Sequence, residues 1–526
     1  MECLIKRIIL FFKTSISQNG RVRKPFEAQM KGLFLKIALI IPKNSLENEK
    51  SFYDYSFHAT FLLSRKYISY LLAIPTLASL TPSEHDIIVI DENIEDIDYS
   101  IPVDLVAISV RTMFANRAYQ ISDMFRKNGV KTVLGGIHPS MCPDEAALHC
   151  HTIVIGEAEH VWETLLNDVL EGQLKPKYQA DSYADLKKSP IPDRKNLSKS
   201  MYLSDIIQTS KGCPFHCEFC SVHAFDGQKI RTRTVEQVIR EIQLIKQSAD
   251  TFKKKKAIFF ADDNILSKKS FTIELLDALK PLNINWMCQA SINISKEEAL
   301  LQKMRDSGCG AIFIGFETIS EKNLSSMDKA INRRFDYRKA IDKIQSYGIL
   351  VHSSFIVGYE NDTPESFDEL FNFIEETNLL MPLINILTPF PGTQLYNRFE
   401  KEGRILTKDW QLYDTKHVVF QPENLTTDQL SEGYKKIVQS IYSFDAILRK
   451  MKYYWNIDFW KRQNKEDPVK FKYRFLFALR LMTLLFSTNM KRSKFIMQIL
   501  PYVFQKRVRI STLLALMGYN DFAESL

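Results

Sequence analysis

The chain has 526 residues, 45% hydrophobic and 25% charged, with a formal net charge of +8. That composition excludes a largely disordered chain and a small disulfide-built secreted domain, and leaves room for two large domains and an appendage. The charge is uneven: residues 1–36 carry eight Lys/Arg against two Asp/Glu, residues 441–526 carry sixteen against six, and the middle is left at −8.

In chain order, Met1–Lys13 is basic around the apolar run Ile8–Phe12. That run is too short to span a membrane, and no small-residue cleavage site follows it. Residues 1–35 read as a basic N-terminal extension, with Met30 a second candidate start. Short apolar runs then alternate with helical periodicity. Leu35–Ile41, Ile87–Asp91, Leu105–Val110, Thr132–Leu134 and Thr152–Ile155 predict five strands, with helices such as Ala115–Lys127 and His160–Leu170 between them. Continuous apolar runs are the mark of buried parallel strands, so 36–172 predicts an α/β, doubly wound, Rossmann-like domain. Residues 173–200, with Pro176, Pro190 and Pro192, read as a linker.

A second β/α series fills 201–425. Its predicted strands are Asp205–Thr209, Ala257–Ala261, Asn285–Ala290, Ala311–Phe316, His352–Val357 and Leu383–Leu387. Helical stretches such as Val235–Gln247, Lys296–Ser307 and Arg338–Tyr347 separate them. Six such units predict a partial (β/α)6 barrel, whose chemistry gathers at the strand C-terminal ends. From Thr426 strand-like runs cease, and 426–526 predicts a basic helical C-terminal region, as in Phe471–Arg480. Its run Leu481–Phe486 is too short to cross a bilayer. Basic aromatic helices of this kind either lie in a membrane interface or cap the barrel and bury their rings.

Eight cysteines are present, and three stand in Lys211-Gly-Cys-Pro-Phe-His-Cys-Glu-Phe-Cys220, just after the first barrel strand. Three thiolates on one loop suit an iron–sulfur cluster, and leave a fourth iron open to bind a substrate. The alternative is zinc with His216 or His223 as a fourth ligand, although a zinc ribbon would pair two Cys-x-x-Cys knuckles and no second knuckle occurs.

The spacing Cys-x3-Cys-x2-Cys, with an aromatic before the last cysteine, resembles the radical S-adenosylmethionine superfamily over about 202–395. The resemblance implies that Cys213, Cys217 and Cys220 hold a [4Fe-4S] cluster. It also implies that the open iron takes the amino and carboxylate groups of S-adenosylmethionine, and that an electron from the cluster yields a 5′-deoxyadenosyl radical. By position, Phe219 lies near the adenine and Asp262 or Asp263, in Phe259-Phe-Ala-Asp-Asp-Asn264, takes the methionine amino group. Glu317, ending Gly315-Phe-Glu317, accepts from the ribose hydroxyls. Gln289 adds a polar head, and Gly358 lets backbone approach the adenine. The turn Thr388-Pro-Phe-Pro-Gly-Thr393 also resembles the family's barrel end. Taken singly, each of these residues is equally well a polar strand end or a helix cap.

In the first domain, Ser109 and Thr112 follow the third strand, Leu134-Gly-Gly-Ile-His-Pro139 the fourth, and Gly156-Glu157 the fifth. Together, and directly before this barrel, they resemble the cobalamin-binding domain of cobalamin-dependent radical S-adenosylmethionine enzymes. That implies a corrinoid slot lined by Ser109, Thr112, Gly135, Gly136, His138, Gly156 and Glu157. The Asp-x-His-x-x-Gly motif of methionine-synthase-type domains is missing, since Ile41-Pro-Lys-Asn-Ser45 stands after the first strand. No histidine is therefore expected to replace the cobalt's lower ligand by that route.

The resemblance implies an enzyme that methylates an unactivated carbon of a hydrophobic substrate such as a lipid. Its expected cofactors are a [4Fe-4S] cluster, S-adenosylmethionine and cobalamin. The expected partners are a small-molecule or lipid substrate, an external electron donor and a membrane surface met by the C-terminal region. No nucleic acid is expected, and the expected place is the cytoplasm or the membrane periphery. Rival readings are a radical cyclase or rearrangement enzyme, a first domain that is degenerate and binds no corrinoid, and a cobalamin- or redox-sensing module. A methylthio-transferase would need three further cysteines in the first domain, where only Cys142 and Cys150 occur.

Overall fold

The computed structural model describes residues 34–43, 69–198, 202, 204–248, 257–327, 329, 332–457, 459, 490–504 and 510–526. The basic start Met1–Lys13 and the tail stretch Phe471–Leu485 lie outside these.

The first sheet holds β1 (Lys36–Ile41), β2 (Asp86–Asp91), β3 (Leu105–Ser109), β4 (Lys131–Gly135), β5 (Thr152–Ile155) and β6 (Lys177–Gln179). All are parallel, in the order β2-β1-β3-β4-β5-β6. The apolar runs are unbroken because both faces are covered. Ile37, Leu39 and Ile41 pack with Trp162 and Leu165 on one side, while Ala38 and Ile40 pack with Ala118, Ile121 and Phe125 on the other. The strand order reverses between β1 and β3, so a crevice opens at their carboxyl ends. β6 falls inside the stretch read as a linker. Only Tyr178 of its three residues is buried, so no apolar run announced it.

The second sheet begins with β7 (Ser204–Ile207). A two-residue antiparallel hairpin follows, β8 (Ser210–Lys211) on β9 (Arg231–Thr232). Then come β10 (Ala257–Phe260), β11 (Trp286–Gln289), β12 (Cys309–Glu317), β13 (Leu350–Val357) and β14 (Leu383–Ile386). The order β14-β13-β12-β11-β10-β7 is parallel throughout and follows the chain, which makes an open six-stranded barrel. Helices cover its outer face. Phe316 meets Tyr337 edge-on at 4.8 Å, and Phe355 meets Phe373 at 6.1 Å. Alternation then turns Phe313, Gly315, His352 and Ser354 to the concave side. There Asn385 Nδ2 donates to Ser354 Oγ at 3.0 Å.

Residues 173–198 are stitched to the barrel. Arg194 is buried against Glu241, which Arg233 grips from its other side, and Glu241 itself is fully buried. The C-terminal helices Thr427–Ile441, Phe444–Asn456, Met490–Phe504 and Ile510–Ser525 bury aromatics such as Tyr434, Trp455, Phe495 and Phe522. Tyr442 stacks on Tyr519 at 4.8 Å and Phe444 on Phe495 at 4.9 Å. Phe495, Ile496, Ile499, Leu513 and Leu516 join the same core as the barrel strands. Among the described residues no helix is long and apolar enough to cross a membrane.

Candidate functional site

The cysteine loop leaves the hairpin through Gly212, whose φ is +94°. A Cβ there would lie 2.7 Å from the Lys229 carbonyl oxygen, so only glycine lets the chain pass. The Cys213 N–H donates to the Gly227 carbonyl at 3.3 Å, and the Cys220 N–H to the Cys217 carbonyl at 3.0 Å. All three cysteines are free and half-buried. Burial raises their pKa, Cys217 to about 11 and Cys220 to about 12, and the Cys213 and Cys217 charges add to the rise at Cys220. The Cys213 and Cys217 thiols thus lie near enough to Cys220 to act on it, so the three stand together on one loop. Among the described residues no three His, Cys, Asp or Glu side chains converge tightly enough to hold a single metal ion. His216 and His223 pair with each other, their rings 5.0 Å apart.

The loop's middle is held by Glu218, a residue that no motif singles out. Its carboxylate accepts from the Tyr359 hydroxyl at 2.6 Å and from Arg398 Nε at 2.6 Å. Phe219 beside it packs against the main core.

The two aspartates after β10 divide. Asp262 is fully buried, and its Oδ1 accepts from the Thr209 N–H and hydroxyl, both at 2.9 Å, and from the Ser210 hydroxyl at 2.7 Å. It therefore fastens the β10 end to the chain leading into β8. Asp263 faces the cysteine loop. Its Oδ2, like that of Asp262, is buried without a partner, and burial followed by the charges of Asp226 and Asp262 pushes its pKa up to about 7. An unpaired carboxyl oxygen beside the thiols is a ready acceptor for an ammonium group.

Glu317 ends β12 at a φ of +64°, in the left-handed region and next to a register shift against β13. Backbone held there without glycine marks a strained site. Its carboxylate pairs with Lys329, whose Nζ also donates to the Gly315 carbonyl at 3.0 Å. Gly315 makes room, since a Cβ there would sit 3.0 Å from that Nζ. Burial opposes the charge of Lys329, yet Glu317 and Cys217 hold its pKa above the ordinary lysine value. Lys329 was not expected from the sequence, because it stands in a polar stretch away from any strand end. Gln289 ends β11 on the concave side, half-buried. Gly358 (φ +92°) follows β13 where a Cβ would meet Leu430 at 2.6 Å, and its N–H donates to Asp362 at 2.8 Å.

In the first domain Ser109 ends β3 opposite Gly135, half-buried, and its hydroxyl makes no hydrogen bond among the described residues. A Cβ on Gly135 would just touch Val154 at 3.5 Å. Gly136 has no room at all, a Cβ there lying 2.9 Å from the Val110 backbone. Gly156 (φ +76°) fronts open space, and a Cβ added there would meet nothing within 4 Å. Ser109, Gly135 and Gly156 thus stand at the carboxyl ends of β3, β4 and β5, with open space beside Gly156. The other expected slot residues are engaged elsewhere. His138 is fully buried, its Nε2 3.0 Å from the Tyr119 hydroxyl and its ring edge-on to Trp410. Thr112 is buried in a turn, and Glu157 turns its carboxylate to the barrel.

The profile of the radical SAM superfamily matches residues 207–374, and that of a domain of unknown function, DUF4070, matches 393–523. The chain is 32% identical over 394 residues to the bacteriochlorophyllide d C-8(2)-methyltransferase of Chlorobaculum tepidum, a match that spans 73% of this chain and 87% of that protein. It is 28% identical over 389 residues to the hopanoid C-2 methylase of Rhodopseudomonas palustris, covering 72% of each. The structure of the cobalamin-dependent S-adenosylmethionine radical enzyme OxsB, with aqua-cobalamin and S-adenosylmethionine bound, shares the fold. Its TM-score is 0.61 at 16% identity, over 92% of this chain and 81% of that one.

Proposed function

The chain belongs to the radical S-adenosylmethionine superfamily, and from that premise we propose that it is a cobalamin-dependent methyltransferase acting on an unactivated carbon of a hydrophobic substrate. The observation that carries the reading is the pairing of two ligand edges. A cysteine loop with an unpaired buried Asp263 oxygen beside it stands at one end of the barrel strands, and Ser109, Gly135 and Gly156 stand together at the carboxyl ends of the first sheet, whose order reverses between β1 and β3. The likeness to methyltransferases and to a cobalamin enzyme's fold supports it.

Cys213, Cys217 and Cys220 would hold the cluster, and Ser109, Gly135 and Gly156 would border the corrinoid's tail. When bound, the cluster supplies the electron that cleaves S-adenosylmethionine, and the corrinoid supplies the methyl group. Asp263 accepts the methionine ammonium. Lys329, already beside the thiols, offers its Nζ to the methionine carboxylate, and this leaves Glu317 free to accept from the ribose hydroxyls. Phe313 and His352 on the concave side of the barrel exclude water from the reacting carbon.

A hydrophobic substrate agrees with an exposed strip on the helix Met490–Phe504. Met490 is 85% and Met497 59% exposed there, with Lys491 and Lys494 on the same outer face. Apolar side chains between cations fit an anionic lipid surface.

The test is anaerobic reconstitution with cobalamin and methyl-labelled S-adenosylmethionine, offered bacteriochlorophyllide d or a hopanoid as probe. Label on carbon of either product supports the reading. Formation of 5′-deoxyadenosine by cobalamin-loaded protein, with no label leaving S-adenosylmethionine for any probe or for extracted lipid, overturns it.

A further inference from the structure

Gly156 follows β5 beside open space, and the side chain of the next residue, Glu157, reaches across to the barrel. Its side chain is 2% exposed. Lys211 Nζ lies 2.8 Å from its Oε1, and Arg231 Nη1 lies 2.9 and 2.8 Å from its two oxygens. The Ala184 N–H donates to Oε2 at 2.7 Å, so every acceptor direction is used within the protein. Lys211 and Arg231 are register partners across the hairpin β8/β9. One carboxylate therefore grips both strands at the base of the cysteine loop. Two residues further on stands Cys213, fixed to the Gly227 carbonyl and preceded by a glycine with no room to move. Glu159 reinforces the grip, 3.5 Å from Lys211, and the Arg231 guanidinium lies 4.6 Å over the Tyr183 ring.

We propose that Glu157 is a positioning residue that sets how the crevice of the first domain faces the cysteine loop of the barrel. The proposal rests on the reading above, in which the crevice takes a corrinoid and the loop a cluster. A methyl donor and a radical source must meet at one substrate carbon, and a misplacement of about 1 Å can cost roughly 100-fold in rate. Few contacts could fix that meeting better than a buried carboxylate shared by two cations. Geometry of this kind holds when every charge in it is paired and hydrogen-bonded.

The variants are Glu157→Gln, which keeps shape and removes charge, and Lys211→Met. A nitroxide on Leu148→Cys, a first-domain position 72% exposed, is one spin and the reduced cluster is the other. Pulsed electron paramagnetic resonance reads the distance between them. The expected result is wild-type iron content with a longer and broader distance distribution in both variants. Unchanged distributions overturn the proposal. So does loss of the cluster from both variants with secondary structure intact, since a positioning residue leaves loading unaffected. The measurement needs no corrinoid. Failure of the wild type to take up cobalamin, seen by absorbance, would instead overturn the proposed function.

Discussion

Gly136 separates the demands of the fold from those of a ligand. It has φ +99° and ψ −170°, a region almost reserved for glycine. Forcing alanine there costs about 1–3 kcal/mol in backbone strain. The added Cβ would also press to 2.9 Å on the backbone nitrogen and oxygen of Val110, which cannot swing aside. Overpacking of that kind costs about 1–3 kcal/mol more. Gly136→Ala should therefore lose about 2–6 kcal/mol, or roughly 5–20 °C in the melting of a domain of this size. Gly156→Ala should lose only about 1–2 kcal/mol through its positive φ, because its Cβ meets nothing. Its methyl instead enters the crevice, so cobalamin uptake should fall by more than its stability does. Thermal melts followed by cobalamin titration of the folded fraction give both readings. A Gly136→Ala melt within about 2 °C of wild type would refute the packing argument. Unchanged cobalamin affinity in Gly156→Ala would refute the placement of the ligand's tail.

Glu241 is fully buried between Arg194 and Arg233, so Glu241→Gln leaves two cations short of a partner and should cost about 3–5 kcal/mol in chemical denaturation. A loss below about 1 kcal/mol would mean that the cations are solvated. Burial lowers the pKa of His352 from 6.5 to about 4. The unfolded chain thus takes a proton between those values that the native imidazole refuses, and stability should fall as pH drops through that window. His352→Asn should flatten this acid limb in melts from pH 7 to pH 4, and an unchanged limb contradicts the assignment. Deleting 470–526 would strip Phe495, Ile496, Ile499, Leu513 and Leu516 from the core, so it reports folding and not membrane contact. The surface variant Met490→Ser/Lys491→Glu/Lys494→Glu/Met497→Ser spares the core. It should sediment less with anionic vesicles at low salt, each lost cation being worth roughly 1 kcal/mol before screening. Equal sedimentation would exclude this helix as the contact.

The sequence made both sheets legible because their strands are buried on two faces and read as apolar runs, as in Lys36–Ile41 and Leu383–Ile386. β6 was not legible, since Lys177 and Gln179 flank a single buried tyrosine. The cysteine loop was legible because its ligands are neighbours in the chain. The groups that act on it are not: Lys329 follows by 109 positions, while Arg398 reaches Glu218 across 180 positions. Glycines were the least reliable guide. At Gly136 and Gly358 an added Cβ would meet Val110 and Leu430, a packing demand for glycine that the sequence alone does not separate from a ligand's. Glu157 follows a crevice glycine, and only the folded chain reveals that its carboxylate crosses to Lys211 and Arg231.

The central claim is that Cys213, Cys217 and Cys220 hold a cluster that drives cleavage of S-adenosylmethionine. Iron analysis and Mössbauer spectroscopy of anaerobically purified wild type and Cys217→Ala, paired with 5′-deoxyadenosine formation under a chemical reductant, test it most directly. About four irons per chain in the wild type, with both cluster signal and 5′-deoxyadenosine lost from Cys217→Ala, is the predicted result. Stoichiometric zinc without iron in the wild type, or 5′-deoxyadenosine still formed by Cys217→Ala, would contradict it.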